Sequence, residues 1–325
     1  MIAENRSVMV TGGAGFIGSY ICEILAASNQ QVIIFDLRPA REMENVRTQR
    51  GDITNLHNLI DCVKKYDVEG IISTAAILPP DDVKNPYKTF QVNVDGLVNI
   101  LEITRIFDLK RLIFISTAGV YGRRYDLKPI SEDTPLHPEI YYEKTKMMGE
   151  QLCKTYMERY DLDVGIVRFP FVYGPRQHDI WPLNILLYHA LKGEPLRVSQ
   201  GADYVMDYLY VKDAARGSIL AYYSKSLPNV VYNIGLGRLV SVSEIADVIK
   251  EMFPRFDYVI GLGPWPSELH QSWIRGPLDI SRAKTDLGYE PRYEVREGVR
   301  DLVEWLQKKP LEYEAWPSND LWVVK

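Results

Sequence analysis

The sequence predicts an α/β fold, in which a Rossmann-type doubly wound parallel sheet carries a smaller C-terminal α/β lobe. Three observations support this prediction. Short β-rich runs alternate with helical patterns through the first half of the chain. The runs are almost continuously apolar, as at residues 112–115, which is typical of strands covered by helices on both faces. A glycine-rich turn joins the first strand to the first helix.

The first half contains five predicted strands and four predicted helices. Apolar runs bounded by turn residues predict strands, and apolar positions three to four residues apart predict helices. The strands are expected at 7–10, 31–35, 70–74, 111–116 and 164–168, and the helices near 16–28, 54–66, 86–107 and 142–160.

After Pro170 this alternation breaks into shorter pieces separated by Pro and Gly. We predict a helix near 182–192, a strand near 230–234, and a helix that starts with a capping box at 241–244. Residues 1–170, with returning segments near 205–225, are therefore expected to form an NAD-binding Rossmann domain. Residues 171–325 are expected to form mostly a substrate-binding lobe. Ligands of open α/β sheets bind outside the carboxyl ends of the strands, so we expect the substrate between the two parts.

Composition narrows the possible partners. The chain has 325 residues, 46% apolar content and a net charge of −5, with no block of basic residues. It has no general electrostatic attraction for nucleic acid or an anionic membrane. No apolar run reaches the roughly 18 residues that span a bilayer, and no signal peptide precedes the first strand. Cys22, Cys62 and Cys153 lack any metal-ligand spacing, which predicts buried thiols, no metal site and a cytoplasmic protein.

The glycines of the turn at residues 12–18 have the spacing of a dinucleotide fingerprint. Gly12 permits the tight turn, Gly15 lets the backbone approach a pyrophosphate, and Gly18 lets the helix pack closely on the strand. The helix N-terminus then faces the phosphates, with Phe16 and Ile17 beside them.

Asp36 ends the second predicted strand, close to the offset at which an acidic residue binds the ribose hydroxyls of the adenosine. A carboxylate there repels a 2′-phosphate, which favours NAD over NADP. Arg38 weakens this preference slightly, because it is able to stack on adenine or to pair with a phosphate. The alternative for Asp36 is a simple turn residue.

Tyr142 and Lys146 form the predicted reacting centre. They are four residues apart in a predicted helix and so share one face. A phenol has an ordinary pKa of about 10, and we expect Lys146 and the positive nicotinamide ring to lower it. Thr117 follows the fifth strand, where its hydroxyl can bind the substrate oxygen. The alternative is an ordinary surface pair on a helix.

These segments and others resemble the extended short-chain dehydrogenase/reductase family, the NAD-dependent epimerase/dehydratase group with its UDP-glucose 4-epimerase-like members. The resemblance covers nearly the whole chain, with GGAGFIG at 12–18, NVDG at 93–96, YEKTK at 142–146, RFPFVYGPR at 168–176, DYLYV at 207–211 and LGYEP at 287–291. It implies a homodimer formed through the helices near 93–107 and 142–160. The cofactor contacts that it implies are Asp52 and Ile53 at the adenine, Thr74, Ala75 and Ala76 along the cofactor, and Asn93, Ser116 and Pro170 close to it.

Departures from the family pattern concern the substrate. Family dehydratases carry acidic residues directly after the threonine, where this chain has Ala118 and Gly119, so dehydration is disfavoured. Phe171 and Met206 replace an asparagine and an arginine that contact a diphosphate in the family. A further family arginine would fall near His270. Arg176, Arg197 and Arg275 are able to rebuild the clamp, and the expected substrate contacts are Leu78, Ala118, Phe171, Arg176, Met206 and Arg275.

The predicted function is that of an NAD-dependent oxidoreductase of the extended class, acting on a secondary alcohol or ketone of a sugar-like or polyhydroxylated small molecule. Tyr142 is the expected general base and acid, and Thr117 the residue that orients the substrate hydroxyl. Lys146 is expected to lower the pKa of Tyr142 and to hold the nicotinamide ribose, so Tyr142 and Lys146 are also expected cofactor contacts. One alternative is a nucleotide-sugar (UDP-sugar) 4-epimerase with a transient 4-keto intermediate. A non-enzymatic alternative is an NAD-sensing scaffold.

Overall fold

A computed structural model describes residues 6–40, 43–177, 181–266 and 274–309. Its centre is a seven-stranded sheet in which every pairing is parallel. The strands are β1 (Ser7–Thr11), β2 (Val32–Asp36), β3 (Val46–Arg50), β4 (Val68–Ser73), β5 (Arg111–Thr117), β6 (Val164–Phe169) and, from much later in the chain, β11 (Val231–Asn233). Their order across the sheet is β3-β2-β1-β4-β5-β6-β11.

Helices cover both faces of this sheet. The helices of this half are α1 (Phe16–Ala27), α2 (Leu56–Tyr66), α3 (Asp81–Lys84), α4 (Pro86–Phe90), α5 (Gly96–Ile106), α6 (Tyr141–Tyr160) and α8 (Val211–Tyr223). Helices α2, α5 and α6 pack side by side on one face, and α1 packs against α8 on the other. All residues of β1 and β5 are buried, as strands covered on both faces require. The predicted doubly wound parallel sheet is confirmed.

One helix and one strand of the first half show how the structure differs from the prediction. The helix expected at 86–107 is divided into α4, a π-helical turn (Gln91–Asp95) and α5. Strand β3 was not predicted because Arg47, Gln49 and Arg50 give it little apolar pattern. It lies at the edge of the sheet, where polar side chains remain in contact with water.

Within the described residues, the C-terminal lobe contains short strands and four helices. The strands pair as β7 (Phe171–Tyr173) with β10 (Tyr208–Tyr210), β8 (Leu196–Val198) with β13 (Tyr258–Ile260), and β9 (Val205–Met206) with β12 (Val240–Ser241). The helices are α7 (Pro182–Lys192), α9 (Val242–Met252), α10 (Ser281–Leu287) and α11 (Val295–Lys308). The apolar core of this lobe is continuous with the α1 and α8 face of the sheet.

The predicted capping box before α9 is only half formed. Ser241 Oγ accepts a hydrogen bond from Glu244 N at 3.0 Å. The Glu244 carboxylate does not return to the backbone, because it binds the guanidinium of Arg238 at 2.8 Å. The sequence therefore predicted the start of the helix correctly but not the partner of its acidic residue.

The three cysteines, the grouping of possible metal ligands and the character of the helices follow from the described residues. Cys22, Cys62 and Cys153 are all buried, and burial raises the pKa of the Cys62 thiol to about 12. Within the described ranges, no three His, Cys, Asp or Glu side chains are grouped so that they could hold a metal ion. No helix in that part of the chain has the length and apolar character needed to cross a membrane.

Candidate active site

The turn between β1 and α1 forms a close-fitting backbone surface. Gly12 adopts φ +72°, a left-handed conformation that favours glycine. A Cβ atom there would lie 2.7 Å from Ala75 N and 2.9 Å from Thr74 Oγ1. Helix α1 begins without a side-chain cap, so its first backbone N–H groups face outward from the turn. This cradle, which any side chain at Gly12 would fill, fits the pyrophosphate of a dinucleotide.

Asp36 holds this turn against the end of β2. Its buried carboxylate accepts hydrogen bonds from Ala14 N at 3.1 Å and Arg38 N at 3.0 Å. Arg38 Nε lies 3.6 Å from Asp36 Oδ1, and the Arg38 guanidinium passes 3.5 Å from the Cβ position of Gly15. The turn role that was the alternative for Asp36 is thus present in the structure. The contact of Arg38 with Asp36 also places the Arg38 guanidinium beside the glycine turn.

The segment after β3 is fixed by local contacts. Asp52 accepts hydrogen bonds from Thr54 N and Thr54 Oγ1 at 2.9 and 2.8 Å, and it lies 3.6 Å from Lys88 Nζ. Ile53 is buried against Gly96, and its carbonyl accepts a hydrogen bond from Asn99. These bonds tie the segment predicted to contact adenine to α4 and α5.

Asn93 joins three parts of the site. Its side-chain amide bonds to both Ile77 N and Ile77 O, at 2.8 and 3.0 Å, which fixes the loop after β4. The same amide donates to Thr145 Oγ1 of α6 at 3.0 Å. At the start of that loop, Thr74 donates from its hydroxyl to Thr11 O at 2.8 Å. Because Asn93 lies in the π-helical turn, the break in the predicted helix places this amide between the loop and α6.

Tyr142 and Lys146 lie in the first two turns of α6, on one face of the helix. Lys146 Nζ donates to Ile115 O at 2.8 Å and lies 5.9 Å from the centre of the Tyr142 ring. Asp82 of α3 accepts a hydrogen bond from Tyr142 N at 3.0 Å, which fixes the start of α6. Burial lowers the pKa of Lys146 to about 8.

Burial and nearby charges determine the electrostatics of Tyr142. Burial raises the pKa of its phenol, and the carboxylates of Glu143 and Asp82 raise it further. In the protein without NAD, desolvation and two nearby carboxylates therefore dominate the pKa of Tyr142. The expected lowering concerns the site with the nicotinamide ring bound and stays a prediction. The Tyr142 hydroxyl makes no hydrogen bond to any described residue.

Thr117 and Ser116 end β5 and point in different directions. Thr117 Oγ1 accepts a hydrogen bond from Gly119 N at 3.1 Å and so caps the 3₁₀ turn Ala118–Tyr121. Ser116 Oγ donates to Glu150 Oε1 of α6 at 2.6 Å and is buried. Helix α6 packs against both β5 and this turn, and Lys146 of α6 donates to Ile115 O, two residues before Thr117. Pro170, half-buried, separates β6 from β7.

The residues expected to contact the substrate differ in burial and in chemistry. The Phe171 ring packs 4.4 Å from that of Trp181, and Met206 is buried in β9, so both contribute to the core and neither offers a polar contact. Ala118 is buried, and Leu78 is 51% exposed. Arg275 is buried beside Glu143, at 3.6 Å.

Arg176 was expected to help rebuild a diphosphate clamp. In the structure its guanidinium donates to Ser19 Oγ at 2.9 Å and to Glu23 Oε1 at 2.6 Å. It also lies over the Tyr20 ring. These contacts tie Arg176 to α1, and the clamp role stays a prediction. Arg197 likewise pairs with Asp257 on an exposed surface.

Some residues near the site were missed or lie outside the described residues. Asp82 and Glu143 contact the start of α6, and the only signal for Glu143 was its place directly after Tyr142. Trp265 is fully buried. The position near His270, where the further family arginine would fall, lies outside the described residues.

A buried polar network lies beneath the site. Arg168 of β6 binds Glu150 of α6 through two hydrogen bonds, of 2.9 and 2.5 Å. Arg168 also donates to the Tyr121 hydroxyl, which in turn donates to Asn233 Oδ1 of β11 at 2.8 Å. The network thus connects α6 to the outermost strand of the sheet.

Comparisons with known proteins agree over most of the chain. The model of the NAD dependent epimerase/dehydratase family matches residues 8–235. A putative UDP-glucose 4-epimerase of Methanocaldococcus jannaschii is 32% identical, over 92% of this chain and 98% of that protein. A UDP-glucose 4-epimerase of Thermotoga maritima, solved with UDP-glucose, superposes with a TM-score of 0.83 at 28% identity, over 94% of this chain and all of that one. MoeE5, solved with UDP-glucuronic acid and NAD, gives 0.80 at 29% identity, over 93% and 99%.

Proposed function

Because the chain belongs to the NAD dependent epimerase/dehydratase family, we propose that this NAD-dependent enzyme of the extended short-chain dehydrogenase/reductase class is a nucleotide-sugar 4-epimerase. The family match confirms the predicted class, the NAD cofactor and the enzymatic nature of the protein. In the proposed reaction the C4 alcohol is oxidised to a ketone and the keto sugar rotates in the site. Hydride then returns to the opposite face of C4.

The observation that carries the proposal is the arrangement at the start of α6. The Tyr142 hydroxyl has no hydrogen-bond partner among the described residues and shares a helix face with Lys146, whose ammonium donates to Ile115 O of β5, the strand that Thr117 ends. Bound NAD supplies the hydride acceptor. Tyr142 takes the proton of the substrate hydroxyl and later returns it, Thr117 holds the same oxygen by a hydrogen bond, and Lys146 supplies a positive charge.

The dinucleotide is proposed to bind along the carboxyl ends of the strands. Backbone N–H groups of the glycine turn hold its phosphates, and Asp36 and Arg38 lie at the adenosine end. The other residues proposed to contact it are Gly12, Gly15, Phe16, Ile17, Gly18, Asp52, Ile53, Thr74, Ala75, Ala76, Asn93, Ser116 and Pro170.

Similarity to UDP-sugar 4-epimerases supports a nucleotide-sugar substrate, whereas the residues expected at the diphosphate do not. UDP-sugar 4-epimerases match this chain over more than nine-tenths of its length. Phe171, Met206 and Arg176 offer no free charge to a diphosphate. This second observation favours a further candidate, a net dehydrogenase of a sugar that lacks a diphosphate, in which NADH leaves after each turnover.

Two measurements separate these candidates. A thermal-shift panel of UDP, TDP and GDP is expected to stabilise the epimerase with at least one nucleoside diphosphate, since a ligand that binds only the folded state raises the melting temperature. With NAD present, proton NMR is expected to show the 4-epimer forming while no NADH accumulates. Stoichiometric NADH and no isomer would replace the epimerase by the dehydrogenase. NAD binding without any turnover would leave only an NAD-sensing scaffold.

We also propose a cytoplasmic homodimer formed through α5 and α6. These helices expose apolar side chains, with Ile106 at 50%, Met148 at 42% and Tyr160 at 52% of their full accessible surface. Sedimentation equilibrium is expected to give twice the chain mass.

The division into parts is likewise a proposal. Residues 1–170, with returning segments near 205–225, form the NAD-binding domain, and 171–325 form mostly the substrate lobe. The packing of α8 against α1 supports this assignment of the returning segment.

A further inference from the structure

The carboxylate at the end of β2 is turned into the protein. Asp36 Oδ2 accepts a hydrogen bond from Ala14 N at 3.1 Å, and Asp36 Oδ1 accepts one from Arg38 N at 3.0 Å. Only 8% of the Asp36 side chain is exposed, whereas 66% of the Arg38 side chain is exposed. Arg38 Nε lies 3.6 Å from Asp36 Oδ1, so the guanidinium offsets the charge of the carboxylate. The end of β2 therefore presents a cation to solvent rather than an anion.

Strand β3 brings a second guanidinium group to the same place. β2 and β3 are parallel, and their register pairs Arg50 with Asp36. Neighbouring strands lie about 4.8 Å apart, and paired residues direct their side chains to the same face of the sheet. Val46, four residues before Arg50 on β3, packs on the core of the α1 face, so Arg50 lies on that face too. Arg50 is exposed, and its side chain makes no hydrogen bond or ion pair with any described residue.

Both arginines lie close to the turn that is proposed to hold the dinucleotide. Arg38 Nη2 is 3.5 Å from the Cβ position of Gly15. Asp36, the register partner of Arg50, binds the backbone of the turn directly. In doubly wound folds the adenosine ribose of a bound dinucleotide lies at the end of the second strand. The two guanidinium groups are therefore at the edge of the site where the 2′-hydroxyl of that ribose is expected.

The charges at this end of the sheet favour an anionic ligand. Asp52, in the segment expected to contact adenine, lies 3.6 Å from Lys88, and the pair has no net charge. Asp36, Arg38 and Arg50 together carry a net charge of +1. A phosphate monoester carries about −1.5 to −2 charges at pH 7. Guanidinium groups bind such a phosphate through charge-assisted hydrogen bonds, which are stronger than those between neutral groups.

We propose that the cofactor site also accepts a phosphate on the 2′-hydroxyl of the adenosine ribose, bound by Arg38 and Arg50, so that this enzyme binds NADP as well as NAD. The inference rests on the proposed function, in which the dinucleotide lies along the glycine turn. It differs from the expectation that Asp36 excludes a 2′-phosphate, because the carboxylate is buried and paired while the two guanidinium groups are exposed. Both dinucleotides carry the same nicotinamide ring, so the proposed reaction at C4 is the same with either.

Calorimetric titration of the full chain with NAD and with NADP tests the proposal. For the wild type, the dissociation constant of NADP is expected to lie within about tenfold of that of NAD. Arg50→Met is expected to raise the ratio of the NADP constant to the NAD constant by about tenfold or more, because a charge-assisted contact is lost. Arg47→Met is the matched control and keeps the wild-type ratio. Arg47 is an exposed arginine of the same strand, but it pairs with Ile33 and lies on the opposite face. NAD, which lacks the phosphate, is expected to bind both variants alike.

Salt gives an independent measurement on the wild type. Ions screen exposed charges, so added NaCl is expected to weaken the binding of NADP more than that of NAD. A wild-type ratio above about tenfold at low salt overturns the inference. Equal salt dependence of the two dinucleotides, or a ratio in Arg50→Met no larger than in Arg47→Met, also overturns it. In each of these cases the binding of NAD leaves the proposed function standing. If neither dinucleotide binds, the proposed function falls as well.

Discussion

The hydroxyl of Tyr142 is the group whose removal distinguishes chemistry from binding. Tyr142→Phe is expected to lower turnover by roughly 10²–10⁴ because proton transfer to the substrate oxygen is lost. NAD affinity is expected to stay close to wild type, since the hydroxyl supports no hydrogen bond among the described residues. Steady-state kinetics and calorimetric titration with NAD measure the two effects. The control is Tyr141→Phe, which removes a hydroxyl that donates to Pro86 O and to no other described residue. Equal turnover in both variants would remove Tyr142 from the mechanism.

The charge of Lys146 gives the site a pH dependence. Burial lowers the pKa of Lys146 from its ordinary 10.5 to about 8, so the ammonium is present below pH 8 and is lost above it. The unfolded chain holds this proton up to higher pH. The contribution of Lys146 to the free energy of unfolding therefore rises with pH between about 8 and 10.5, as the buried charge is lost. NAD affinity is expected to fall above pH 8, as measured by calorimetry on either side of that value. Lys146→Arg stays charged and should show no such step. A step that persists in this variant would assign it to another group.

At the scale of an element, the turn from β1 to α1 can be tested with a matched pair of glycines. Gly12 and Gly193 have nearly equal φ, +72° and +68°, so alanine costs each about 1–2 kcal/mol of unfolding free energy. Only Gly12 has close neighbours, with Ala75 N at 2.7 Å, whereas no atom lies within 4 Å of the Cβ position of Gly193. Gly12→Ala is therefore expected to weaken NAD binding at least about tenfold, or roughly 1.4 kcal/mol, while Gly193→Ala does not. Urea unfolding measures the stability of each variant, and titration with NAD measures its affinity. Equal NAD affinity of the two variants would contradict the prediction.

Elements with local signals could be predicted from the sequence, whereas contacts between distant residues could not. Local rules located the sheet, because buried strands and the glycine turn have their signals within a few residues. They missed the π-helical turn, whose amide at Asn93 bonds to Thr145, 52 residues away. They also did not reveal the pairing of Arg176 with Glu23, which lies 153 residues upstream. The raised pKa of Tyr142 follows from burial, which the tertiary structure alone determines.

At the scale of the whole molecule, buried polar groups connect the sheet to the C-terminal lobe. The Asp207 carboxylate accepts hydrogen bonds from Leu236 N at 2.9 Å and Leu278 N at 3.0 Å, and burial raises its pKa to about 6. The Arg168 network reaches from α6 to β11. Glu150 lies on the helix that carries Tyr142, Tyr121 lies on the turn capped by Thr117, and Leu278 follows Arg275 by three residues. The bonds that stabilise the fold therefore also hold segments of the site.

The Arg168 and Glu150 pair offers the sharpest test of that dependence. Both side chains are at most 2% exposed, so Arg168→Met leaves a buried carboxylate without its cation. The expected loss is about 3–5 kcal/mol of unfolding free energy, measured by urea denaturation. Adding Glu150→Gln removes the unpaired charge and is expected to recover much of that loss. Arg105→Met breaks an exposed pair with Glu102 and is expected to cost about 1 kcal/mol or less. A loss for Arg168→Met as small as that of Arg105→Met would show that the network does not stabilise the fold.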